Sequence, residues 1–335
     1  MPDRQPGTQA FRMMCVPQGG AALLSVKAGQ LSVFFLLCLT APLAMADSIS
    51  GAHGWLVRMS TALQSLSYEG VFVHRSDDQL TAMKVIHIAG DDGEHERLIT
   101  LTGKRREIVH RSGHPARVAG NSKGTHSGVA GILDDITDYY KLTLRDRDRV
   151  AGRPAQVIFI EPRDEYRYGY RLWLDEATGL LLKSDLLGLN GHVIEQVMFT
   201  SLNLVEGGEH AEDSVSPGAE VDRAAIGDAV PETLQPPQDW TVGDVPNGFS
   251  LMMVQPVSTD HNARHMIYTD GLASVSIFVE TSDEDANTSF VGSSRMGAVS
   301  AYGKLMNGYQ VTVVGEVPEV TVEMIGKSMR YKGLE

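Results

Sequence analysis

The segment spanning residues 170–199, YRLWLDEATGLLLKSDLLGLNGHVIEQVMF, constrains the fold more than any other part of the chain. It contains three runs rich in apolar, aromatic and β-branched residues, and a turn signal separates each run from the next. The first turn ends at Gly179, and the second contains Asn190-Gly191, a strong signal for a tight β-hairpin. The segment therefore predicts a three-stranded antiparallel meander, and it carries no pattern typical of catalysis.

More β structure is predicted before the meander. An apolar helix face over residues 55–66 comes first, and short strand-like runs follow it. In the run VFVHR, alternation places Val71 and Val73 on one face of the strand, and Phe72 and His74 on the other. Both faces carry apolar groups, so this pattern predicts a sheet that is covered on one side and lines something on the other.

The N-terminal 46 residues have the features of a secretory signal peptide. Lys27 precedes an apolar run over residues 31–44, and Ala44-Met45-Ala46 forms a small-residue cleavage site. The alternative is a transmembrane anchor, but the run is shorter than the roughly 20 residues that a helical span needs. We therefore expect residues 1–46 to be removed by cleavage after Ala46 and the remainder to be exported.

Loss of the signal changes the chemistry open to the chain. Cys15 and Cys38 are its two cysteines, and both precede the predicted cleavage site, which excludes thiol catalysis and cysteine-based metal sites in the mature protein. The signal carries three basic residues and one acidic residue, so its removal changes the formal net charge from −13 to −15. A chain with this charge repels nucleic acid and anionic membranes as a whole.

A shift in composition predicts two domains. Residues 206–239 contain many acids, one basic residue (Arg223) and Pro236-Pro237, which is typical of a linker. The preceding part, residues 47–205, is the predicted large domain. The following part, residues 240–335, contains two hairpin signals, Asp270-Gly271 and Asn307-Gly308, and it predicts a small α+β domain. Its C-terminal helix is expected after Pro318, with a buried face formed by Val320, Met324 and Ile325.

Catalytic and metal-binding patterns are weak. Gly120 to Gly124 matches the G-x-S-x-G motif of serine hydrolases around Ser122, but that motif needs a preceding strand and a following helix. Here glycine-rich polar sequence lies on both sides, which favours a loop over a hydrolase. The histidines show no metal-ligand spacing, so we assign no catalytic residue, no metal site and no cofactor.

Two basic clusters leave two interpretations open. One contains Lys104-Arg105-Arg106 and Arg111, and the other alternates arginine with aspartate over residues 145–153. Cross-strand ion pairs are the ordinary interpretation of such clusters in a sheet. A rim that binds phosphate groups is the alternative.

Five segments together resemble the RseB/MucB family of periplasmic negative regulators of the envelope-stress sigma factor (sigma-E/AlgU type). They are LQSLSYEGVFVH, GKRREIVH, the meander, IYTDGLASVSIFVE and YQVTVVGEVPEVTVEMIGKSM. The resemblance covers both predicted domains in order. It implies an α+β, mostly antiparallel fold, in which a large lipoprotein-carrier-like half-barrel is closed by helices around an apolar cavity. The candidate cavity residues are Val71, Val73, Trp173 and Leu182.

The resemblance also implies a function that is not enzymatic. Such proteins bind the periplasmic region of an RseA/MucA-type membrane anti-sigma factor and hinder its proteolysis, until a lipid-like signal such as lipopolysaccharide or lipoprotein acyl chains releases them. By analogy, the small domain would contact the anti-sigma factor around Tyr268, Asp270, Gly271 and Phe278. The alternative is a periplasmic lipid or lipoprotein carrier, and homo-oligomerisation stays open.

Overall fold

The computed structural model describes residues 51–90, 93–112, 136–205, 220–222, 239–256, 263–282 and 289–332. The predicted signal peptide, the loop around Ser122 and most of the predicted linker lie outside these residues. The described part contains two helices and eighteen strands. They are α1 (Ala52–Ser65), β1 (Tyr68–Ser76), β2 (Gln79–Gly90), β3 (Gly93–Thr100), β4 (Arg106–Ser112), β5 (Tyr140–Val150), β6 (Arg153–Pro162), β7 (Gly169–Asp175), β8 (Leu181–Leu187), β9 (Val193–Leu204), β10 (Glu220–Asp222), β11 (Trp240–Val242), β12 (Ser250–Pro256), β13 (Arg264–Thr269), β14 (Ser274–Thr281), β15 (Gly292–Met296), β16 (Val299–Met306), β17 (Tyr309–Gly315), α2 (Glu319–Ser328) and β18 (Met329–Tyr331).

The first ten strands form one sheet in the order β10-β4-β3-β2-β1-β9-β8-β7-β6-β5. Neighbouring strands are antiparallel except at β10, which runs parallel to β4. The predicted meander is confirmed, because β7, β8 and the first part of β9 pair in succession. Its second turn uses Gly191 at φ +78°, a left-handed conformation that favours glycine.

Helix α1 packs against this sheet through two separate core clusters. Leu56 joins a core cluster with Leu172 and Leu174 of β7, and Ala62 joins a second cluster with Phe72 of β1. Burial of such apolar side chains stabilises each by roughly 1.5–3 kcal/mol relative to exposure. Within the described residues the sheet is open at β10 and β5, and α1 is the helix that packs against it.

The remaining elements form a smaller two-layer unit. Six strands pair in the order β12-β13-β14-β17-β16-β15, and α2 packs across β16 and β17. Its core includes Ile277, Val313, Val322 and Ile325, each fully buried. The predicted small α+β fold therefore agrees with the structure. No helix among the described residues is long and apolar enough to cross a lipid bilayer.

Candidate functional site

Arg167 holds the two sheets together from the connection between β6 and β7. Its side chain is fully buried. The guanidinium donates from Nη1 to Asp270 Oδ2 at 2.7 Å, from Nε to Asp164 Oδ1 at 3.0 Å and from Nη2 to the carbonyl oxygen of Asn247 at 2.6 Å. Two of these three acceptors belong to the small domain, so one cation bridges the two domains.

Asp270 is the anion that pairs with Arg167 across the domain interface. It lies in the turn between β13 and β14, where Oδ1 accepts hydrogen bonds from the backbone N–H groups of Leu272 at 2.9 Å and Ala273 at 2.7 Å. Oδ2 accepts from Arg167 and also from the hydroxyl of Tyr140 at 2.9 Å. Burial, followed by the negative charge of Asp270, raises the pKa of Tyr140 well above its ordinary value.

Aromatic rings surround the buried guanidinium. The Arg167 Cζ atom lies 5.0 Å from the ring centroid of Tyr139, 5.4 Å from that of Tyr140 and 5.1 Å from that of Phe249. A desolvated cation over aromatic faces gains on the order of 2 kcal/mol. The ion pair, the hydrogen bonds and the rings together compensate the burial of the charge, which otherwise would cost several kcal/mol.

A second polar cluster joins the sheets further along the interface. In the first domain, Glu195 of β9 contacts His74 at 3.3 Å and accepts a hydrogen bond from Ser76 at 3.0 Å. In the small domain, Gly297 approaches so closely that an added Cβ would lie 2.9 Å from the Ser76 hydroxyl. Glu316 follows β17 and completes the cluster, because the charge of Glu195 acts on it.

The two carboxyl groups of this cluster ionise differently. Burial opposes ionisation of Glu195, but the hydrogen bonds from His74 and Ser76 outweigh it and hold its pKa below the usual value. Burial and the neighbouring Glu195 charge raise the pKa of Glu316 to about 7, although His74 acts in the opposite direction. The interface therefore contains a carboxyl group that titrates near neutral pH.

Apolar packing and a helix contact complete the interface. Tyr168, Leu186 and Ile194 of the first domain form a cluster with Ala298 of the small domain. The Thr321 hydroxyl, in the first turn of α2, donates to a carbonyl oxygen of the first domain at 2.6 Å. The domains thus meet through charged, apolar and hydrogen-bonded contacts.

The four residues predicted to bind a partner do not share one surface. Tyr268 packs in the core of the small domain, and Asp270 is buried against Arg167. Gly271 adopts φ +98° in the predicted turn. Phe278 is half-buried and stacks on His265, with ring centroids 4.3 Å apart. Of the four, Phe278 has an accessible side chain.

Phe278 belongs to a half-exposed apolar face of the small domain. It alternates with the buried Ile277, so its side chain leaves the sheet on the side away from α2. Register places Ile267 of β13 and Val314 of β17 on the same side, next to Met253 of β12. We call Met253, Ile267, Phe278 and Val314 the outer face.

A groove lies where α1 meets β8 and β9. It is lined by Leu63, Tyr68, Leu181, Leu182, Lys183, Ser184, Val197 and Phe199. Its volume of about 20 Å³ has room for a water molecule but not for an acyl chain. Among the four predicted cavity residues, Leu182 lines this groove, whereas Val71, Val73 and Trp173 do not.

Arg167 and Glu316 were not predicted from the sequence as site residues. Arg167 lies in RDEYRYGY, which has the composition of an exposed loop, and Glu316 sits in a turn. Neither position carries a local signal for burial, because the partners come from distant segments. Within the described residues, no group of three or more histidine, cysteine, aspartate or glutamate side chains is arranged to hold a metal ion.

Two family models match the chain in succession. The model of the MucB/RseB N-terminal domain matches residues 51–225, and the model of the MucB/RseB C-terminal domain matches residues 234–330. The boundary between the two models falls inside the acidic segment 206–239.

Proteins similar to this chain include characterised regulators. The sigma factor AlgU regulatory protein MucB of Pseudomonas aeruginosa is 35% identical over 310 residues, which is 85% of this chain and 92% of that protein. The sigma-E factor regulatory protein RseB of Haemophilus influenzae is 27% identical and covers 89% of this chain and 96% of its own length. The structure of the P. aeruginosa MucA/MucB complex matches with a TM-score of 0.64 and 30% identity over 84% of this chain and 99% of that chain. MucB in complex with MucA(peri) matches with a TM-score of 0.63 and 30% identity over 84% of this chain and the whole of that chain.

Proposed function

Because this chain belongs to the MucB/RseB family, we propose that it is a periplasmic regulatory protein that binds the periplasmic region of an RseA/MucA-type anti-sigma factor. In that complex it hinders the regulated proteolysis of the anti-sigma factor, so the envelope-stress sigma factor stays inactive. The proposal assigns a binding function and gives no residue a catalytic role.

One observation carries this proposal. The structures of MucB with MucA match 84% of this chain at 30% identity, and the match spans both domains. The buried bridge between Arg167 and Asp270 holds the two domains of this chain together, so that both are available to one partner. We also propose that the first domain ends at residue 205, that the small domain begins at residue 240, and that the signal peptide is cleaved after Ala46.

The outer face is the surface that we propose for the anti-sigma contact. Phe278 shares this face with Met253, Ile267 and Val314, which are half-buried apolar side chains grouped around Ser276, and it pairs directly with His265 and Thr312. Partly exposed aromatic residues at the centre of a surface patch are frequent binding hot spots. Tyr268, Asp270 and Gly271 would then support this surface from within the domain rather than touch the partner.

The first test measures the affinity of the chain from Asp47 for the periplasmic segment of the host anti-sigma factor. We expect tight binding and slower cleavage by the first regulated protease. Phe278→Ala should weaken binding at least tenfold, whereas Leu189→Ala, an exposed leucine of the first domain, should not change it. Equal affinities for the two variants would place the contact elsewhere, and absence of binding by the folded chain would refute the regulatory function.

We further propose that a lipid-like signal, such as lipopolysaccharide or lipoprotein acyl chains, enters the groove beside α1 and releases the partner. The groove is apolar through Leu63, Tyr68, Leu182 and Phe199, but it is too small for an acyl chain as it stands. Entry would therefore require α1 to move away from the sheet. Movement of α1 would separate its side chains from the core clusters that they now join. A ligand in the groove would thereby change the packing of the rest of the first domain.

Linkage gives this release a strict test. If lipid weakens anti-sigma binding by some factor, then the anti-sigma segment must weaken lipid binding by the same factor. Leu63→Trp, which fills the groove, should abolish the effect of lipopolysaccharide, whereas the exposed control Ser65→Trp should retain it. The second candidate, a lipid or lipoprotein carrier, would bind lipid in the groove without binding the anti-sigma segment at all.

A further inference from the structure

The outer edge of β4 carries a short strand, β10, at one end of the large sheet. On its inner edge, β4 pairs with β3 in continuous register from Glu107 to Ser112. On its outer edge it pairs with β10, in parallel, over three residues. Within the described part of the chain, residues 109–112 have no strand on that outer side. An edge of this kind presents backbone donors and acceptors to any extended segment that fits.

The opposite end of the same sheet is built differently. Strand β5 carries a run of exposed charged side chains and a register irregularity between Leu144 and Arg147, both of which discourage pairing with another strand. Strand β4 has no irregularity in its pairing with β3. The contrast indicates that one edge is protected against strand addition and the other is open to it.

The segment that now occupies the β4 edge is short and acidic. Register places Glu220 opposite Arg106, Val221 opposite Glu107 and Asp222 opposite Ile108. Three parallel pairs give little stability, because parallel pairing is weaker per residue than antiparallel pairing and an isolated pair of short strands is marginal in water. The three described pairs therefore hold this segment weakly on the β4 edge.

The corner next to this edge is basic in a chain that is acidic overall. Lys104, Arg105 and Arg106 are exposed, and the Thr100 hydroxyl fixes their loop by accepting from the N–H of Arg106 at 2.7 Å and donating to the carbonyl oxygen of Lys104 at 3.1 Å. Glu107 does not offset these charges, because its carboxylate is 2% exposed and pairs with Arg97 at 2.5 Å.

We propose that the outer edge of β4 is a strand-addition site for an extended acidic segment of a partner protein, and that β10 occupies it in the free chain. Backbone pairing along residues 106–112 supplies affinity, and the basic corner selects acidic segments. The site lies at the β10 end of the large sheet, and it does not depend on the anti-sigma contact proposed above for the small domain.

The test uses a labelled synthetic peptide, SPGAEVDRAAI, which copies residues 216–226, and the chain from Asp47. Val221→Pro in the chain removes a backbone donor from β10 and disfavours its pairing. We expect this variant to bind the peptide at least tenfold more tightly than the unaltered chain. Glu220→Lys with Asp222→Lys provides a second way to loosen β10, and circular dichroism checks that each variant is folded.

Two controls separate strand addition from simple charge attraction. In the Val221→Pro background, Arg105→Glu should weaken peptide binding at least tenfold, whereas Lys141→Glu, an exposed charge reversal on β5, should leave it unchanged. A peptide with proline at the central valine should not bind. The proposal is wrong if loosening β10 brings no gain in affinity, or if the proline peptide binds as well as the original.

Discussion

Replacement of Asp270 by asparagine tests whether the buried ion pair couples the two domains. The change keeps the shape of the side chain and removes its charge. The amide oxygen can still accept from the N–H groups of Leu272 and Ala273, so the local turn should persist. The amide NH₂ group then faces the Arg167 guanidinium and the Tyr140 hydroxyl. Hydrogen-bond donors therefore face each other at the place where the Asp270 carboxylate accepted hydrogen bonds.

The cost of this change follows from burial. Removal of one partner from a fully buried ion pair costs on the order of 3–5 kcal/mol, because the remaining charge is left without compensation. Both side chains of the pair are 0% exposed. Asp164 still pairs with Arg167 at 3.0 Å, which places the expected loss near 3 kcal/mol and the fall in melting temperature at roughly 6–12 °C.

Differential scanning calorimetry is the assay that distinguishes coupling from general destabilisation. We expect one cooperative transition for the unaltered chain and two separate transitions for Asp270→Asn, because the domains lose their main electrostatic link. Asp175→Asn is the matched control. Asp175 is equally buried and pairs with Arg153 at 2.9 Å, but both residues belong to the first domain.

The control should lose stability without splitting the transition. Two results would refute the reasoning. The first is an Asp270→Asn profile that matches that of the unaltered chain, and the second is a split transition in Asp175→Asn as well. Either result would mean that the pair between Arg167 and Asp270 does not carry the coupling between domains.

Two further predictions concern pH and close packing. The folded pKa of Glu316, about 7, lies above its ordinary 4.5, so the unfolded chain loses this proton first and the free energy of unfolding falls as pH rises from about 4.5 to about 7. Glu316→Gln should remove up to about 3 kcal/mol of that dependence in urea titrations at pH 5 and pH 8, and an unchanged slope would contradict the assignment. Gly70→Ala should cost about 2 kcal/mol, because an added Cβ would lie 2.5 Å from the Ser201 carbonyl oxygen and 2.8 Å from the Phe199 ring. Gly90→Ala on β2, where an added Cβ would meet the Gly93 carbonyl oxygen at an ordinary 3.7 Å, is the control, and equal stability of the two alanine variants in urea would show that the contact relaxes.

Strands, turns and helices whose formation depends on residues close together in the sequence could be predicted from it. The meander and its Asn190-Gly191 turn form because β-propensity, alternation and turn chemistry act over a few residues. The turn at Asp270-Gly271 was predicted for the same reason. Helix α2 was predicted after Pro318, but its buried face was wrong in part, because Val320 is 37% exposed whereas Val322 is buried. An error of one or two positions rotates a helix face by 100° or more.

Faces of the large sheet were harder to assign. Alternation separates Val71 and Val73 from Phe72, but it does not say which face α1 will cover. The structure buries Phe72 to 2% exposure in the cluster with α1, and Leu182 of β8 reaches the groove beside that helix. The choice depends on contacts between segments that are far apart in the chain, which a local pattern does not encode.

By itself, the sequence determined the meander, its turns and the resemblance to the family, because each rests on short-range patterns. Only the tertiary structure decided that Asp270 is an interdomain anion, since its partner Arg167 lies 103 positions away. It also decided that Glu316 is buried and lies near Glu195, and these two causes, in that order, raise its pKa to about 7. Burial and charge pairing depend on which distant segments meet, and that is settled when the two domains pack together.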